Sequence, residues 1–407
     1  MLISAALLAT TDVAVAQTAM RLTNGRWFDG EGFRARTMYV VDGRLRDAAP
    51  ARVDTTVDLQ GGFVVPPYGE AHNHNIAQSS RIDAQLRRYA EEGIYYVLNP
   101  NSLPGDRLTG RINLPGTLQA IFANGGLNVS GGHPEDLAKR NIARGSWRPE
   151  WAEGAFYHTI DSLADLERKW PRILAGQPDL IKVYLLYTNE HDRRRAGQHG
   201  GHIGLHPNLV QPIVDRAHAA GLRVAAHIEN TADFVAAVRA GVDIIAHMPG
   251  YGYLGGADSA QFILTEDMAS AAAARGVAVI STLSFGRRAN APDRNAAHAQ
   301  RDAIAARNLR TLKEAGVTIA IGSDNFGATS RSEALYLSDL AVFSNAELLR
   351  MWSMATPQLI FPRRRIARLE EGYEANLLVL DADPLADFAN TGRIRLRMMN
   401  GQILGGL

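Results

Sequence analysis

The sequence predicts an α/β protein: a (β/α)8 barrel joined to a small sheet domain assembled from both chain ends. Three observations carry this. Short apolar runs alternate with helical stretches over roughly 300 central residues. Both termini carry short strands broken by Gly and Asp. The chain has 407 residues and 46% hydrophobic composition, enough to bury a large core.

In chain order, residues 1–19 read as a secretory leader, which predicts a secreted, periplasmic protein. The apolar run Leu2–Ala9 is followed by Ala14-Val15-Ala16 before Gln17, the pattern of a small-residue cleavage site, although no Lys or Arg precedes the run. No later apolar stretch reaches the roughly 18 residues that a membrane span needs. Residues 20–66 then read as strands, at Met20–Thr23, Thr37–Val41 and Thr55–Leu59. Asn24-Gly25, Asp29-Gly30 and Asp42-Gly43 lie beside them as hairpin-turn pairs. Residues 362–407 repeat the style in Ala375–Asp381 and Ile394–Met399, followed by Asn400-Gly401. The two ends are expected to form one composite domain.

Residues 67–361 carry the alternating pattern. Strands are expected at Gly93–Leu98, Leu180–Leu185, Arg223–His227, Asp243–His247, Val277–Ser281 and Val317–Ile321. The helical stretches Leu209–Ala220, Thr231–Ala240 and Gln300–Ala315 each run into a glycine, as a helix C-cap favours.

Forty-three basic and 42 acidic residues leave a net charge of +1, so nothing in the balance points to nucleic acid or another polyanion. The expected partner is a small-molecule substrate, and a homo-oligomer is compatible with the sequence. With no cysteine, any metal must be held by imidazole, carboxylate or a modified lysine, ligands that suit zinc, manganese or iron.

The histidines decide where to look. His227 and His247 each end an apolar run, and His72-Asn73-His74 closely follows Phe63-Val64-Val65 and two prolines. In a barrel these positions face one mouth, and residues two apart on a strand share a face, so His72 and His74 can bind one ion together. Asp324 stands just past Ile321, at the end of the last expected strand. Lys182 interrupts another apolar run; a buried amine is costly unless paired or neutral, and a neutral amine reacts with carbon dioxide to form a carbamate. A single strand-end histidine is more readily a hydrogen-bonded core or surface residue. Six such positions gathered at one barrel mouth point to a metal centre.

The order His-x-His, Lys, His, His, Asp resembles the amidohydrolase superfamily, in its binuclear, carbamylated-lysine subtype. Gly221–His227 with Ala240–His247, and Ala355-Thr356-Pro357 with Leu369–Leu385, are similar to its imidazolonepropionase and Xaa-Pro dipeptidase branch. The resemblance implies a distorted (β/α)8 TIM barrel with a β-sandwich formed by the chain ends. It also implies two divalent metal ions, with zinc expected. His72, His74 and Asp324 would hold one, and His227 and His247 the other. A carbamate on Lys182 and a hydroxide would lie between them, and Asp324 would shuttle the proton. The activity implied is hydrolysis of an amide C–N bond in a dipeptide or N-acyl amino acid, as by a metallo-dipeptidase or carboxypeptidase. Lactones, cyclic amides and phosphoesters yield to the same attack and are the alternative substrates; a catalytically silent binding protein is the alternative from another class.

Some positions depart from the family. Glu70 stands where Asp is common, Asn73 and Asn75 flank the histidines, and Asn376 replaces an Asp of the C-terminal motif. Glu70 is expected to orient a ligand and Asn75 to alter the substrate pocket. Tyr251, Tyr253, Arg287 and Arg288 are candidate substrate contacts. Arg193, Arg194 and Arg195, in the His- and Arg-rich loop 189–206, could recognise a substrate carboxylate or merely be solvated. His133, His158, His218 and His298 are read as lying at the surface or behind the ligands.

Overall fold

The computed structural model describes residues 19–77, 81–103, 110–197, 202–253, 258–287 and 296–404. The expected leader lies outside them except for Ala19, which opens the first strand. Strands β1 (Ala19–Phe28), β2 (Phe33–Val41), β3 (Arg44–Arg46), β4 (Thr55–Asp58) and β5 (Phe63–Val65) precede the barrel. The barrel region holds β6 (Tyr68–Glu70), β7 (Ile94–Ser102), β8 (Gln119–Asn124), β9 (Gly126–Asn128), β10 (Tyr157–Thr159), β11 (Leu180–Tyr184), β12 (Arg223–His227), β13 (Ile244–Ile245), β14 (Ala278–Ile280) and β15 (Ile319–Ala320). Strands β16 (Leu377–Leu380), β17 (Ile394–Met399) and β18 (Gln402–Ile403) follow it.

Both chain ends enter one eight-stranded sheet, joined where β16 pairs antiparallel with β5. Asp42-Gly43 and Asn400-Gly401 form tight turns with positive φ at both residues (51° and 74°; 48° and 77°), the geometry that matches strand twist. Asn24-Gly25 does not. It lies inside β1, where the pairing with β2 slips between Leu22 and Gly25. A Cβ at Gly25 would lie 2.7 Å from Leu59 Cδ1, so tertiary packing makes this pair a bulge. The bulge bends β1 so that its first half pairs with β4 and its second with β5. The sheet thereby divides into two arms around a core of Leu22, Trp27, Met38, Val40, Leu59, Val64, Leu377 and Val379.

The barrel strands run parallel. Two sheets, one β6-β7-β8 and the other β9-β11-β12-β13-β14-β15 with β10 at its outer edge, supply eight positions when β8 and β9, broken at Gly125, count as one. The ring closes where Ala71 N–H donates to Ile321 O at 2.9 Å. Strands β13 and β15 keep only two paired residues each, which is the distortion of this barrel. Thr231–Ala240 is a helix with a capping box of Asn230 and Asp233 and ends on left-handed Gly241. The helix expected from Leu209 starts earlier, at Pro207, because the His206 ring caps it by accepting from Asn208 N–H.

Packing at one rim fixes the chain around the first histidines. Trp352 stacks on Tyr68 (centroids 3.8 Å apart, planes 6° apart), and its indole N–H reaches Gly69 O at 3.0 Å. Gly322 is required for close approach: a Cβ there would sit 2.7 Å from His72 N. Among the described residues no helix is long and apolar enough to cross a membrane.

Candidate active site

The strand ends bring the six singled-out residues to one mouth. One ligand atom from each of His72, His247 and Asp324 lies within 4.8 Å of the others. Asp324 Oδ1 is 3.5 Å from His72 Nε2 and 3.4 Å from His74 Nε2. The His227 ring centroid is 4.6 Å from that of His247, which in turn is 4.4 Å from that of His72. The expected division into two ligand groups is thus crossed by the compact trio that joins His247 to His72 and Asp324.

Each imidazole is oriented from behind. His72 Nδ1 lies 2.9 Å from Ala246 O, and His74 Nδ1 lies 3.1 Å from Asn99 Oδ1 and 3.0 Å from Asn101 O. These partners only accept, so both rings donate from Nδ1 and keep the Nε2 lone pair toward Asp324. His227 is turned the other way, with Nε2 donating to Glu229 Oε1 at 3.2 Å and the Nδ1 lone pair left free. His247 Nδ1 pairs with Thr282 Oγ1 at 2.9 Å.

Burial sets the protonation states. It holds His72 and His247 well below the usual imidazole range and brings His227 down to about 4, so all three are neutral and can ligate. Burial pushes the Asp324 carboxyl up, but His72, His74 and Lys182 outweigh it and leave it at about 2. Lys182 is 2% exposed and its Nζ has no hydrogen-bond partner; burial lowers its pKa to about 7. Such a lone, dehydrated amine among imidazoles is costly unless it is neutral or converted to a charged ligand. Imidazoles with free lone pairs, one ionised carboxylate and this lysine form a donor set that fits divalent transition-metal ions.

A model of the amidohydrolase family matches residues 191–404, just over half of the chain. The chain belongs to the amidohydrolase family. Among solved structures, A. niger ochratoxinase aligns with a TM-score of 0.73 at 17% identity, over 96% of this amidohydrolase and 96% of that chain. A prolidase complexed with N-methylphosphonate-L-proline aligns at 0.70 and 19% identity, over 95% and 99% of the two chains. A Xaa-Pro dipeptidase with methionine bound in its active site aligns at 0.69 and 14% identity, over 96% and 100%. At these identities the likeness concerns the fold. No curated protein matches the chain in sequence.

In this amidohydrolase Tyr251 is buried and stacked on His247, centroids 4.2 Å apart, and burial holds its phenol protonated well above the usual range. Tyr253 instead packs with Phe262 and Ile304, away from the histidines. Arg287 closes a short helical turn at Leu283–Arg287; its side chain, and Arg288, lie outside what the structure describes. The three loop arginines are engaged elsewhere: Arg193 and Arg194 with Glu190, and Arg195 with Asp161. Arg194 also lies over the Tyr187 ring at 3.7 Å. Their carboxylate partners are the protein's own, Glu190 within the loop and Asp161 outside it. His191, Asp192 and His206 form a separate group with ligand atoms within 4.8 Å, in which His206 already serves as a helix cap.

Glu70 acts on the turn carrying Asp324 more than on a histidine ring. It accepts from Ser323 N–H and Oγ–H, while burial pushes its carboxyl up to about 8. Asn75 Nδ2 donates to Asn325 O and Ala328 O, and so it braces the loop that follows Asp324. Asn376 bonds Tyr96 and Asn400, a structural role.

Several site neighbours were not singled out as such, although His133 fits its reading as a residue at the surface or behind the ligands. His133 lies 5.4 Å from His227 and 5.3 Å from Tyr184, ring to ring. Glu229, brought to about 2 because His202 and His227 outweigh its burial, joins both histidines. Tyr184 and Glu229 each follow a singled-out residue by two positions, so strand alternation was an available signal; His133 and His202 come from distant loops and left none.

Proposed function

We propose that this amidohydrolase cleaves the amide bond of a dipeptide or N-acyl amino acid. The observation that carries the reading is Lys182, buried and without a hydrogen-bond partner in a site that holds four histidines and one aspartate. Two divalent ions, with zinc expected, would be held by His72, His74 and Asp324 and by His227 and His247. Lys182 would be shared between them as a carbamate, formed when its neutral amine adds to carbon dioxide and loses a proton. When bound, the ions would supply Lewis acidity, lowering the pKa of water and polarising the scissile carbonyl.

The protein's own groups do the rest. Asp324 takes a proton from the attacking water and delivers it to the leaving nitrogen as the C–N bond breaks. Asn99, Ala246, Glu229 and Thr282 keep the four rings aimed. The Tyr251 phenol, protonated at all working pH values, donates to an oxygen of the substrate. The prolidase and Xaa-Pro dipeptidase of similar fold support a substrate with an amino acid on the amine side.

The test is turnover by metal-loaded enzyme across dipeptides, N-acyl amino acids, lactones and phosphoesters. Release of free amine from the first two classes is expected. Turnover confined to lactones or phosphoesters would move the reading to those substrates. Bound metal with no turnover of any class would favour a silent binding protein.

A further inference from the structure

The loop after Asp324 carries an aromatic ring for which folding provides no cover. Phe326 is 63% exposed, the most exposed large hydrophobic side chain among the described residues and the only aromatic one in that group. Its ring lies nearly parallel to that of His74, with centroids 5.7 Å apart and planes 23° apart. His74 is itself the most open of the four site histidines, at 20% side-chain exposure against 2% for His72. The ring therefore stands beside the open edge of the centre.

Its backbone is held rigidly although the ring is free. Asn325 O accepts from Asn73 Nδ2 at 3.1 Å and from Asn75 Nδ2 at 3.3 Å. Ala328 O accepts from the same two groups at 3.2 and 2.8 Å. Gly327 O accepts from Arg88 Nη1 at 2.7 Å, and Gly327 N–H donates to Asn325 Oδ1 at 3.0 Å. The two asparagines that set this chain apart around its histidine pair thus fix the peptides on both sides of Phe326. An apolar ring on a braced turn needs no ordering when a ligand packs against it.

We infer that Phe326 forms one wall of an apolar subsite for the side chain of the residue on the amine side of the scissile bond. The side is assigned by Asp324. That carboxylate delivers the proton to the leaving nitrogen, and Phe326 follows it by two residues on the same turn. The inference rests on the hydrolase reading for its direction, and it adds the substrate class: C-terminal residues with branched or aromatic side chains are preferred over glycine.

The experiment measures binding separately from turnover. Affinities of N-methylphosphonyl-phenylalanine and N-methylphosphonyl-glycine for metal-loaded wild type, Phe326→Ala and Phe326→Leu are determined by calorimetry. KM and kcat are measured for dipeptides ending in Phe and in Gly. Wild type should favour the phenylalanine ligand by about ten-fold or more. Phe326→Ala should lose that preference through the phenylalanine ligand alone and raise KM for the Phe-ending dipeptide by a larger factor than it lowers kcat. Phe326→Leu should recover part of it, and metal content and melting temperature should stay at the wild-type values. Equal losses for both ligands, or no change in either, would overturn the subsite. Tight, side-chain-dependent binding without turnover would sink the hydrolase reading and keep the subsite; no binding of either ligand to wild type would overturn the subsite.

Discussion

Glu70 grips Ser323 twice, accepting from its backbone N–H at 2.8 Å and from its hydroxyl at 2.9 Å, across a sequence separation of 253 residues. Ser323 N–H also lies 3.1 Å from His72 O, and the next residue, Asp324, donates its N–H to the same carbonyl at 2.7 Å while adopting φ 44°. A non-glycine residue in that region is strained and persists because its surroundings hold it. The strand β6, which ends at Glu70 just before the segment carrying His72 and His74, therefore also shapes the turn that supplies Asp324.

Replacing Ser323 by Ala tests this coupling. The change strips one hydrogen bond from Glu70 and one from Asn73 Nδ2, which reaches the same hydroxyl at 2.7 Å. Leaving buried polar groups short of partners costs about 1–3 kcal/mol. Denaturant midpoints should fall accordingly, and kcat should fall more than KM rises because Asp324 is displaced. A stable variant with wild-type kcat would show that Asp324 is held without Ser323.

Lys182 offers a prediction with opposite signs for stability and activity. Lys182→Met removes a buried amine that has no hydrogen-bond partner and puts an apolar chain in a core position. The metal-free variant should therefore melt at or above the wild-type temperature. Its activity after metal loading should be below about 1% of wild type, the range expected when a group needed in the transition state is lost. Reconstituting wild type in carbon-dioxide-free buffer should be slow and should accelerate with bicarbonate. An active Lys182→Met enzyme would remove the lysine from the mechanism.

Asn75 was expected to alter the substrate pocket, and its contacts place it under the turn that carries Phe326. Asn75→Ala should lower thermal stability, since Asn325 O and Ala328 O each lose a donor. Ion content should be unchanged. Any change in substrate preference should parallel that of Phe326→Ala, because Asn75 reaches the substrate only through the loop. A preference change absent from Phe326→Ala would show that Asn75 acts on the pocket by another route.

Where the sequence was legible, local and long-range signals agreed. Arg223–His227 and Ile394–Met399 form strands over the very residues expected, since an apolar or alternating run between turn residues admits one solution. His72, His74, Lys182, His227, His247 and Asp324 were visible because barrel topology puts strand ends together wherever they lie in sequence. Asn24-Gly25 was misread because the pair suits a turn or a bulge equally, and Leu59 and Val64 choose between them. The loop arginines stayed open between a substrate contact and a solvated loop for a related reason: their partners Glu190 and Asp161, and the carbonyl of His202 for Arg194, are chosen by loop geometry that no period encodes. His133 reaches the site from the segment before the helix Glu135–Ala143, which carries no strand signal.

His158 provides a pH-dependent test remote from the ligands. It sits on β10 with 4% exposure, and its Nδ1 is buried without a hydrogen-bond partner. Burial first, then the charges of Arg172 and Lys169, bring it from 6.5 down to about 4, so the folded protein holds the neutral ring. In the unfolded chain the ring takes up a proton near pH 6.5, whereas the folded state resists until about pH 4. The unfolded state thus binds more protons across that window. Stability from the neutral ring is complete above pH 6.5 and is lost as pH falls toward 4, by about 2–3 kcal/mol in all. His158→Gln cannot titrate and escapes this loss. Between pH 7.5 and 4.5, the unfolding free energy of wild type should therefore decline relative to the variant by that amount, measured by urea denaturation of metal-free protein. Parallel pH profiles would mean that the ring gains or loses its proton equally in both states, and that its burial carries no electrostatic cost.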